Sequence, residues 1–263
     1  LWPLVCLGPL YWLAITSLKG PAALLYGPFY VPGLDFTPEL GAWRDVLDTG
    51  EIVRRYANTA IVAAVSTALT MLVSLPALFA GRSSPLLTTL VLTRIIPPVA
   101  LVLPIYLVAS ALGLLDTRML MVGVYAALNL PAALWLLRPA FDQRLQAVEE
   151  AATLDGASRL RILFDIVIPV ILRPVSAVAL LVLVLCWNEY LLASFLAAGD
   201  AQTLPPFIAG QMSIREQQAG SDPDEISRLA AATVMLIAPL VLVTGWAQRT
   251  VAARNHNRWR ARD

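Results

Sequence analysis

Charged residues are scarce in this chain. Only 14% of its 263 residues are Asp, Glu, Lys or Arg, whereas a soluble domain carries about 25%. Long uncharged stretches result: 58% of the residues are hydrophobic, and the mean hydropathy is +0.71. Because about 20 consecutive apolar residues span a bilayer, this composition predicts an all-α integral membrane protein.

Residue types that usually carry catalysis are also few. Lys19 is the only lysine and His256 the only histidine. The sequence contains no Gly-x-x-x-x-Gly-Lys-Ser/Thr phosphate loop, no His-Glu-x-x-His and no Gly-x-Ser-x-Gly. These absences argue against ATP hydrolysis by this chain, against a histidine base and against a histidine-ligated metal. We expect no catalytic residue, no metal site and no cofactor in it.

Cysteine and net charge exclude further classes. Cys6 and Cys186 both lie in apolar stretches, which predicts two small buried hydrophobes rather than a disulfide framework. A net charge of +1 gives no reason to expect a nucleic-acid partner. The sequence opens on Leu1 rather than Met, so we expect that preceding residues are missing. The first apolar stretch leads into further ones, which argues against a cleaved signal peptide.

Six apolar segments of membrane-spanning length predict one transmembrane domain across residues 1–263. They cover residues 1–18, 58–80, 86–109, 119–137, 170–196 and 229–246. Polar connections separate them: a proline-rich loop at 19–57, a turn at 81–85, a polar segment at 138–169, a loop at 199–228 and a basic tail at 247–263. We expect Asn58 to cap the start of the second span. No internal repeat typical of many secondary transporters is visible.

Arginine placement predicts the orientation of these spans. The turn, the polar segment and the tail hold most of the arginines, whereas the opposite connections hold most of the acids. Short cytoplasmic connections carry an excess of Lys and Arg. We therefore place the polar segment and both termini in the cytoplasm.

The polar segment predicts a helix at 143–154 followed by a turn. Leu145, Val148 and Ala152 recur at helical spacing and form a narrow apolar face. Gly156 then ends this helix, because glycine accepts the left-handed conformation that is common just past a helix end.

A second helix is expected at 160–167, capped by Ser158, with Pro169 marking the change of direction into the fifth span. The two helices together form a helix–turn–helix outside the bilayer. Two roles are open to it: docking of another protein, or an amphipathic helix that rests on lipid headgroups.

The spacing of Glu150-Ala151-Ala152, Gly156, Ile166 and Ile168-Pro169 resembles the cytoplasmic coupling loop of ABC-importer permeases, in which Leu usually stands at the place of Ile168. Other short motifs resemble the smaller permease subunit of carbohydrate importers of the maltose type, and they occur in the same order over nearly the whole chain. These motifs are Gly8–Trp12, Ser17–Lys19, Asn58-Thr59, Ile96-Pro97-Pro98 with Pro104–Tyr106, Leu112–Thr117, Trp187–Tyr190 and Thr203–Pro205.

This resemblance implies the type I ABC-importer permease fold, with six transmembrane helices and a coupling helix between spans four and five. It implies a second permease subunit, two copies of a cytoplasmic ABC ATPase that bind ATP and Mg, and an extracytoplasmic solute-binding protein. The location implied is the inner membrane of a bacterial cell. The ATPase-coupling residues implied are Glu149, Glu150, Ala151, Ala152, Asp155, Gly156 and Ala157.

Two polar residues are expected at membrane depth. Arg94 would lie about 12 Å into the third span at 1.5 Å per residue, and Asn129 at a comparable depth in the fourth. Ionisable groups buried in lipid are costly and mark functional sites. Arg94 is therefore expected either to line a water-filled path or to hold a structural hydrogen-bond network, and the two residues could face each other.

Trp187, Asn188, Glu189 and Tyr190 lie towards the outer end of the fifth span. An indole, an amide and a carboxylate suit a sugar, whose C–H surfaces stack on aromatic rings and whose hydroxyls bond polar groups. An aromatic anchor at the membrane interface explains the same residues equally well.

The leading hypothesis is a non-catalytic permease subunit of an ATP-driven sugar importer. The alternative is a stand-alone secondary transporter or channel that uses Arg94 and Glu189 for ion coupling. A membrane enzyme is disfavoured by the missing catalytic motifs. The solute is open, because importers of disaccharides, polyols, amino sugars and glycerol phosphate share these features.

Overall fold

The computed structural model describes residues 2–27, 30–48, 50–81, 84–141, 143–217 and 223–260. Every named element in these ranges is a helix, and the only extended pairing among them is an isolated bridge between Pro32 and Phe36. The prediction of an all-α protein is confirmed. Leu1, part of the turn at 81–85 and the last residues of the basic tail lie outside the described residues.

The helices follow one another with short connections. In chain order they are α1 Trp2–Thr16, α2 Pro21–Leu25, α3 Gly41–Asp48, α4 Glu51–Gly81, α5 Pro85–Leu92, α6 Pro98–Ala111, α7 Arg118–Leu137, α8 Gln143–Leu154, α9 Arg159–Arg161, α10 Ile168–Val170, α11 Leu172–Trp187, α12 Leu191–Leu196, α13 Leu204–Gln217 and α14 Pro223–Arg260. Two 3₁₀ turns, Thr93–Ile95 and Arg138–Ala140, and a π-helix, Ile162–Val167, complete them.

Within the described residues, three helices are long and apolar enough to cross a bilayer: Glu51–Gly81, Arg118–Ala140 and Pro223–Gly245. Two bent helix pairs bring the number to five if each pair is one span. A shorter apolar helix, Leu7–Thr16, stands at the first predicted span. The chain is therefore a multi-pass membrane protein, and the count of six spans stays a prediction.

The third predicted span is not one continuous helix, contrary to the expectation of a helix over 86–109. The stretches Pro85–Ile95 and Pro98–Ala111 meet at an angle of 103°. Pro97 follows Ile96, which is extended with ψ 120°, because the residue before a proline is pushed out of the helical region. The bend lies after Arg94, so the depth expected for this residue stays a prediction.

The fifth predicted span is also broken. Arg159–Val170 and Leu172–Trp187 meet at 83° around Ile171, and a second break separates α11 from α12. Pro169 lies beside the first bend, as expected. Pro174 adds to it, because proline has no N–H with which to bond the carbonyl four residues earlier.

Two predicted loops contain helices. The loop at 19–57 holds α2, α3 and the first turns of α4, and the loop at 199–228 holds α13 and the start of α14. Prolines and acids in these stretches favoured loops, but α3 and α13 each have an apolar side that packs in a core. Tertiary packing of such a side stabilises short helices that propensity alone would not.

The helices fall into two compact units. The first comprises residues 1–57 and 203–263. Its core joins Val46, Ile52, Leu204, Ile208 and Ala231, all buried, and α14 packs against both α1 and α3.

The second unit comprises residues 58–202 and is built around α7. Ser66 and Thr70 of α4, which are 0% and 1% exposed, donate their hydroxyl protons to the carbonyls of Val122 and Ala126 at 3.3 and 3.4 Å. The two donors are one turn apart on α4 and the two acceptors are one turn apart on α7, so the two helices are joined in register. Small hydroxyl residues allow this close approach between membrane helices.

We predict that Ser66→Leu destabilises the protein, because a larger side chain at this fully buried contact forces α4 and α7 apart. Overpacking of this kind costs about 1–3 kcal/mol. Thermal unfolding of the protein in detergent measures the loss. Val65→Leu is the matched control, since Val65 is 47% exposed and should tolerate the change. Equal melting temperatures for the two variants would contradict the tight packing described for Ser66.

Candidate functional site

The polar segment contains the helix–turn–helix that its sequence predicts. α8 begins at Gln143 and ends at Leu154, which are the expected bounds. Leu145 is buried and Ala152 half-buried, whereas Val148 is 46% exposed. The apolar face of α8 is therefore in contact with the protein near both ends of the helix and exposed between them.

Gly156 ends α8 in the left-handed conformation, with φ +79°, as predicted. Its N–H donates to the carbonyl of Thr153 at 3.1 Å, and the N–H of Ala157 donates to that of Ala152 at 3.1 Å. These two bonds form a Schellman motif, which satisfies carbonyls that the helix leaves without partners. The turn is therefore fixed by the backbone of five consecutive peptide units rather than by side chains.

The second helix starts where Ser158 predicts it. The Ser158 hydroxyl accepts a hydrogen bond from the N–H of Arg161 at 3.4 Å, which satisfies a donor of the first turn. The helix then widens into the π form over Ile162–Val167 before it reaches the bend at Ile171. Val167 is fully buried, so this helix is anchored in the second unit and joined through the bend to α11.

An open cavity of about 330 Å³ lies between the two helices of the polar segment. Its lining is formed by Ala152, Asp155, Gly156, Ala157, Arg161, Asp165 and Ile166. Small side chains at the turn leave the space open. Arg161 and Asp165 form an exposed ion pair at 3.6 Å, one helical turn apart. The cavity thus combines small and apolar side chains with charged groups, which suits a protruding element of another protein.

The predicted coupling residues divide between two places. Four of them line the cavity, and Glu149, Glu150 and Ala151 lie along α8 outside its lining. The carboxylate of Glu150 is exposed and accepts a hydrogen bond from Gln146 Nε2 at 3.0 Å. The coupling role of these seven residues stays a prediction.

Sequence reasoning did not select Arg161 and Asp165 for this site. Opposite charges four residues apart on a predicted helix were the available signal. That signal is common on exposed helices, so it could not by itself indicate a lining position.

Arg94 and Asn129 are held differently. Arg94 lies in the 3₁₀ turn at the break between α5 and α6 and is exposed, with no ion-pair partner among the described residues. Asn129 is half-buried, and its amide donates to the Tyr125 carbonyl at 2.9 Å and to Cys186 Sγ at 3.4 Å. The second of these bonds joins α7 to α11. Asn129 is therefore part of the packing between helices.

The four residues Trp187–Tyr190 do not share one environment. Trp187 is 7% exposed, so its indole is packed inside the second unit rather than free for stacking. Glu189 accepts a hydrogen bond from the N–H of Leu192 at 2.9 Å and thereby caps α12. Asn188 and Tyr190 are exposed at the break between α11 and α12. Of the four, these two are the better candidates for contact with a solute.

Two relatives extend over most of this chain. A probable ABC transporter permease protein of Sinorhizobium fredii is 31% identical over 211 residues, which are 78% of this chain and 75% of the relative. The sulfoquinovosyl glycerol transport system permease protein of Agrobacterium fabrum is 32% identical over 204 residues, which are 75% of this chain and 71% of the relative.

A solved structure has the same fold. It is a chain of a bacterial ABC transporter involved in the import of the acidic polysaccharide alginate, with a TM-score of 0.79 at 22% identity. The match covers 94% of this chain and 91% of that chain. This likeness confirms the permease fold of an ABC importer that the sequence predicts. Residues 60–257 match the family described as binding-protein-dependent transport system inner membrane component, and the chain therefore belongs to this family of ABC transporter permeases.

Proposed function

We propose that this chain is a membrane-spanning subunit of a carbohydrate importer and that its polar segment receives the motor protein. Membership of the permease family supports the first part. The relative from Agrobacterium fabrum and the solved structure are named for the transport of a sugar glycoside and of a polysaccharide, and these names support a carbohydrate as solute. The excess of arginine in the turn, the polar segment and the tail supports an inner-membrane protein with both termini in the cytoplasm.

The observation that carries this proposal is the direct mechanical link from the cavity to a membrane helix. The Schellman turn holds α8 against the second helix, and that helix continues through the bend at Ile171 into α11. A force applied to α8 is thus passed along hydrogen-bonded backbone to α11. A flexible loop would absorb the same displacement.

The motor is a separate protein in this proposal. The chain has no phosphate loop, so ATP and Mg bind to two copies of a cytoplasmic ABC ATPase. A second permease subunit completes the path, and an extracytoplasmic binding protein delivers the solute. The chain itself is non-catalytic, as is typical of its family. A stand-alone secondary transporter is not favoured, because it would have no use for a docking cavity.

Arg94 is proposed to line the solute path. Its guanidinium stays charged at any physiological pH, and it is exposed at a break in a helix pair of membrane-spanning length. Broken helices in membranes are tolerated where they are buried in protein or line a water-filled cavity. An exposed, permanently charged group at such a break is consistent with water or a polar solute beside it.

Co-purification tests the assembly. When this chain is isolated from its host membrane by an affinity tag, we expect an ABC ATPase and a second permease in stoichiometric amounts. The physical reason is that the chain alone has no energy source. Quantitative mass spectrometry of the purified complex measures this. ATP-independent uptake of maltose or of an alginate disaccharide by vesicles that contain this chain alone would contradict the proposal and favour the secondary transporter.

A pair of substitutions at Gly156 tests the docking role. Gly156→Pro removes the left-handed conformation and the N–H that bonds Thr153, so we expect ATP-driven uptake to fall at least about tenfold while the chain remains in the membrane. Gly156→Asn is the matched control. Asn tolerates the left-handed region better than other side chains, and a Cβ at this position meets no other atom within 4 Å. Uptake by reconstituted vesicles is measured for both Gly156 variants. Normal uptake by the proline variant would refute the docking role of this turn.

Two substitutions at Arg94 separate a path residue from a structural one. Arg94→Gln removes the charge and should lower uptake at least about tenfold with little change in melting temperature, because no ion pair is lost among the described residues. Arg94→Lys keeps a positive charge and should retain most of the uptake. A large drop in melting temperature in both variants, with normal uptake by the complex that remains, would assign Arg94 to a structural network instead.

A further inference from the structure

A polar network in the second unit joins three stretches of chain that are far apart in sequence. It consists of the side chains of Asn58, Asp116 and Arg118 and the backbone of residues 199–202, and it is called the polar clamp below. Asp116 and Arg118 lie at the turn from α6 into α7, Asn58 lies in α4, and residues 199–202 follow α12. None of these groups belongs to the docking cavity or to the predicted path residues.

Asp116 is one half of the polar clamp. Its carboxylate accepts hydrogen bonds from three consecutive backbone N–H groups, those of Gly199, Asp200 and Ala201, at 2.9, 2.7 and 3.2 Å. Its own N–H donates to the carbonyl of Leu196 at 2.8 Å. Consecutive N–H groups that converge on one point form an anion-binding nest. Here the anion is a side chain of the same protein.

The backbone at both partners is adapted to this contact. Asp116 has φ +57° and is the only residue other than glycine with positive φ in the described part of the chain. A Cβ at Gly199 would lie 2.5 Å from Asp116 Oδ2, so any other residue there would displace the carboxylate. The chain thus accepts an uncommon conformation at residue 116 and requires glycine at residue 199.

Asn58 is the other half of the polar clamp. It is 0% exposed, and its amide donates to the carbonyls of Asp200 and Gln202 at 2.8 and 2.9 Å. Its oxygen accepts a hydrogen bond from Arg118 Nε at 2.8 Å. The expectation that Asn58 caps the second span is wrong, because α4 begins at Glu51. Every polar group of its side chain is instead used to join distant segments.

The turn that presents Asp116 is itself well fixed. Gly113, with φ +65°, closes α6 with a second Schellman motif, in which the N–H of Leu114 donates to the carbonyl of Ala109 at 2.9 Å. Thr117 then caps α7 by accepting from the N–H of Leu120 at 3.3 Å. The clamp therefore connects residues 199–202 to a rigid support.

The element held by this support is α12. It has only six residues, too few for a helix to be stable by itself. Glu189 caps its start, Leu196 near its end is 1% exposed, and the clamp holds the chain that leaves it. The break with the exposed residues Asn188 and Tyr190 lies just before α12, so the place of these two side chains depends on how α12 is held.

We propose that Asp116, Asn58 and Arg118 are positioning residues for transport. They fix the position of α12 relative to the α6–α7 turn. Because the break at 188–190 directly precedes α12, its position is fixed as well. The clamp atoms themselves do not contact the solute. When α6 and α7 move in the transport cycle, α12 moves with them as one body. This inference rests on the proposed function, because it assigns the clamp to the path of that importer.

The experiment compares uptake and ATP hydrolysis in the same vesicles. The complete complex, isolated by a tag on this chain, is reconstituted with Asp116 or with Asp116→Asn. The probe is maltose or an alginate disaccharide, whichever the complex with Asp116 takes up. Asn also tolerates positive φ, so this change removes carboxylate acceptors and leaves the backbone conformation accessible. We expect the ratio of solute transported to ATP hydrolysed to fall at least about fivefold in the assembled Asp116→Asn complex.

Two further variants sharpen the test. Asn58→Asp keeps the oxygen that accepts from Arg118 and removes both donors to residues 199–202, so it should reproduce the loss. Asp35→Asn is the matched control: its carboxylate also accepts two backbone N–H groups, those of Tyr30 and Val31 at 3.0 and 2.9 Å, but both are local. It should leave transport per ATP unchanged.

A merely structural clamp gives a different result. In that case the amount of transport complex recovered would fall for Asp116→Asn and Asn58→Asp. The recovered complex would still transport the same amount of solute per ATP hydrolysed. This result overturns the inference. Failure of both variants to assemble also overturns it, since it assigns the clamp to folding alone. If the complex with Asp116 itself shows no ATP-driven uptake of any carbohydrate, the proposed function fails instead.

Discussion

Backbone N–H and C=O groups in an apolar surrounding must find hydrogen-bond partners within the protein, because no water replaces them and each unsatisfied group costs several kcal/mol. Departures from regular helix at membrane depth have to meet that demand. Pro97 comes directly after the break at Ile96, and the break at Ile171 lies between Pro169 and Pro174. Where α6 and α8 end, Schellman motifs at Gly113 and Gly156 return the free carbonyls to N–H donors of the turn. The irregular places of the fold are therefore ordered rather than loose.

The same demand explains why side chains such as Asn58 and Asp116 form hydrogen bonds with backbone groups. Residues 199–202 form no helix or strand with their own neighbours, so their N–H and C=O groups need partners from elsewhere in the chain. Hydroxyls on α4 bond carbonyls of α7 in a similar way. Several polar side chains in this membrane protein thus complete the backbone, whereas Arg94 is exposed at a break in a helix pair of membrane-spanning length.

Much of the polar segment was predictable from its sequence. The ends of α8, the left-handed Gly156 and the cap at Ser158 each depend on residues within one or two turns, and local chemistry decides them. The fold class follows from composition, and the positions of spans two and four from uninterrupted apolar runs.

Other features depend on distant partners and could not be read from neighbours. Asn58 matches a helix cap in sequence, but its partners lie 60 to 144 residues away. The sequence allows Trp187 a role in a solute site, but the structure shows that its indole is buried in the protein. The helix in the loop at 199–228 has an apolar side whose core is supplied by residues near 46 and 231. Neither the angle of the bend beside Pro97 nor the exposure of Arg94 follows from spacing alone.

The Schellman turn at Gly156 has a consequence for how this subunit responds to its surroundings. Its two hydrogen bonds join uncharged peptide groups, so neither ionic strength nor protonation acts on them directly. The exposed ion pair of Arg161 and Asp165 is different, since salt screens charges of this kind. High salt should therefore detach a charged partner from the cavity while the cavity keeps its shape. In the proposed docking role, the uncharged turn that shapes the cavity would respond little to salt, whereas the charges that would bind a partner would respond strongly.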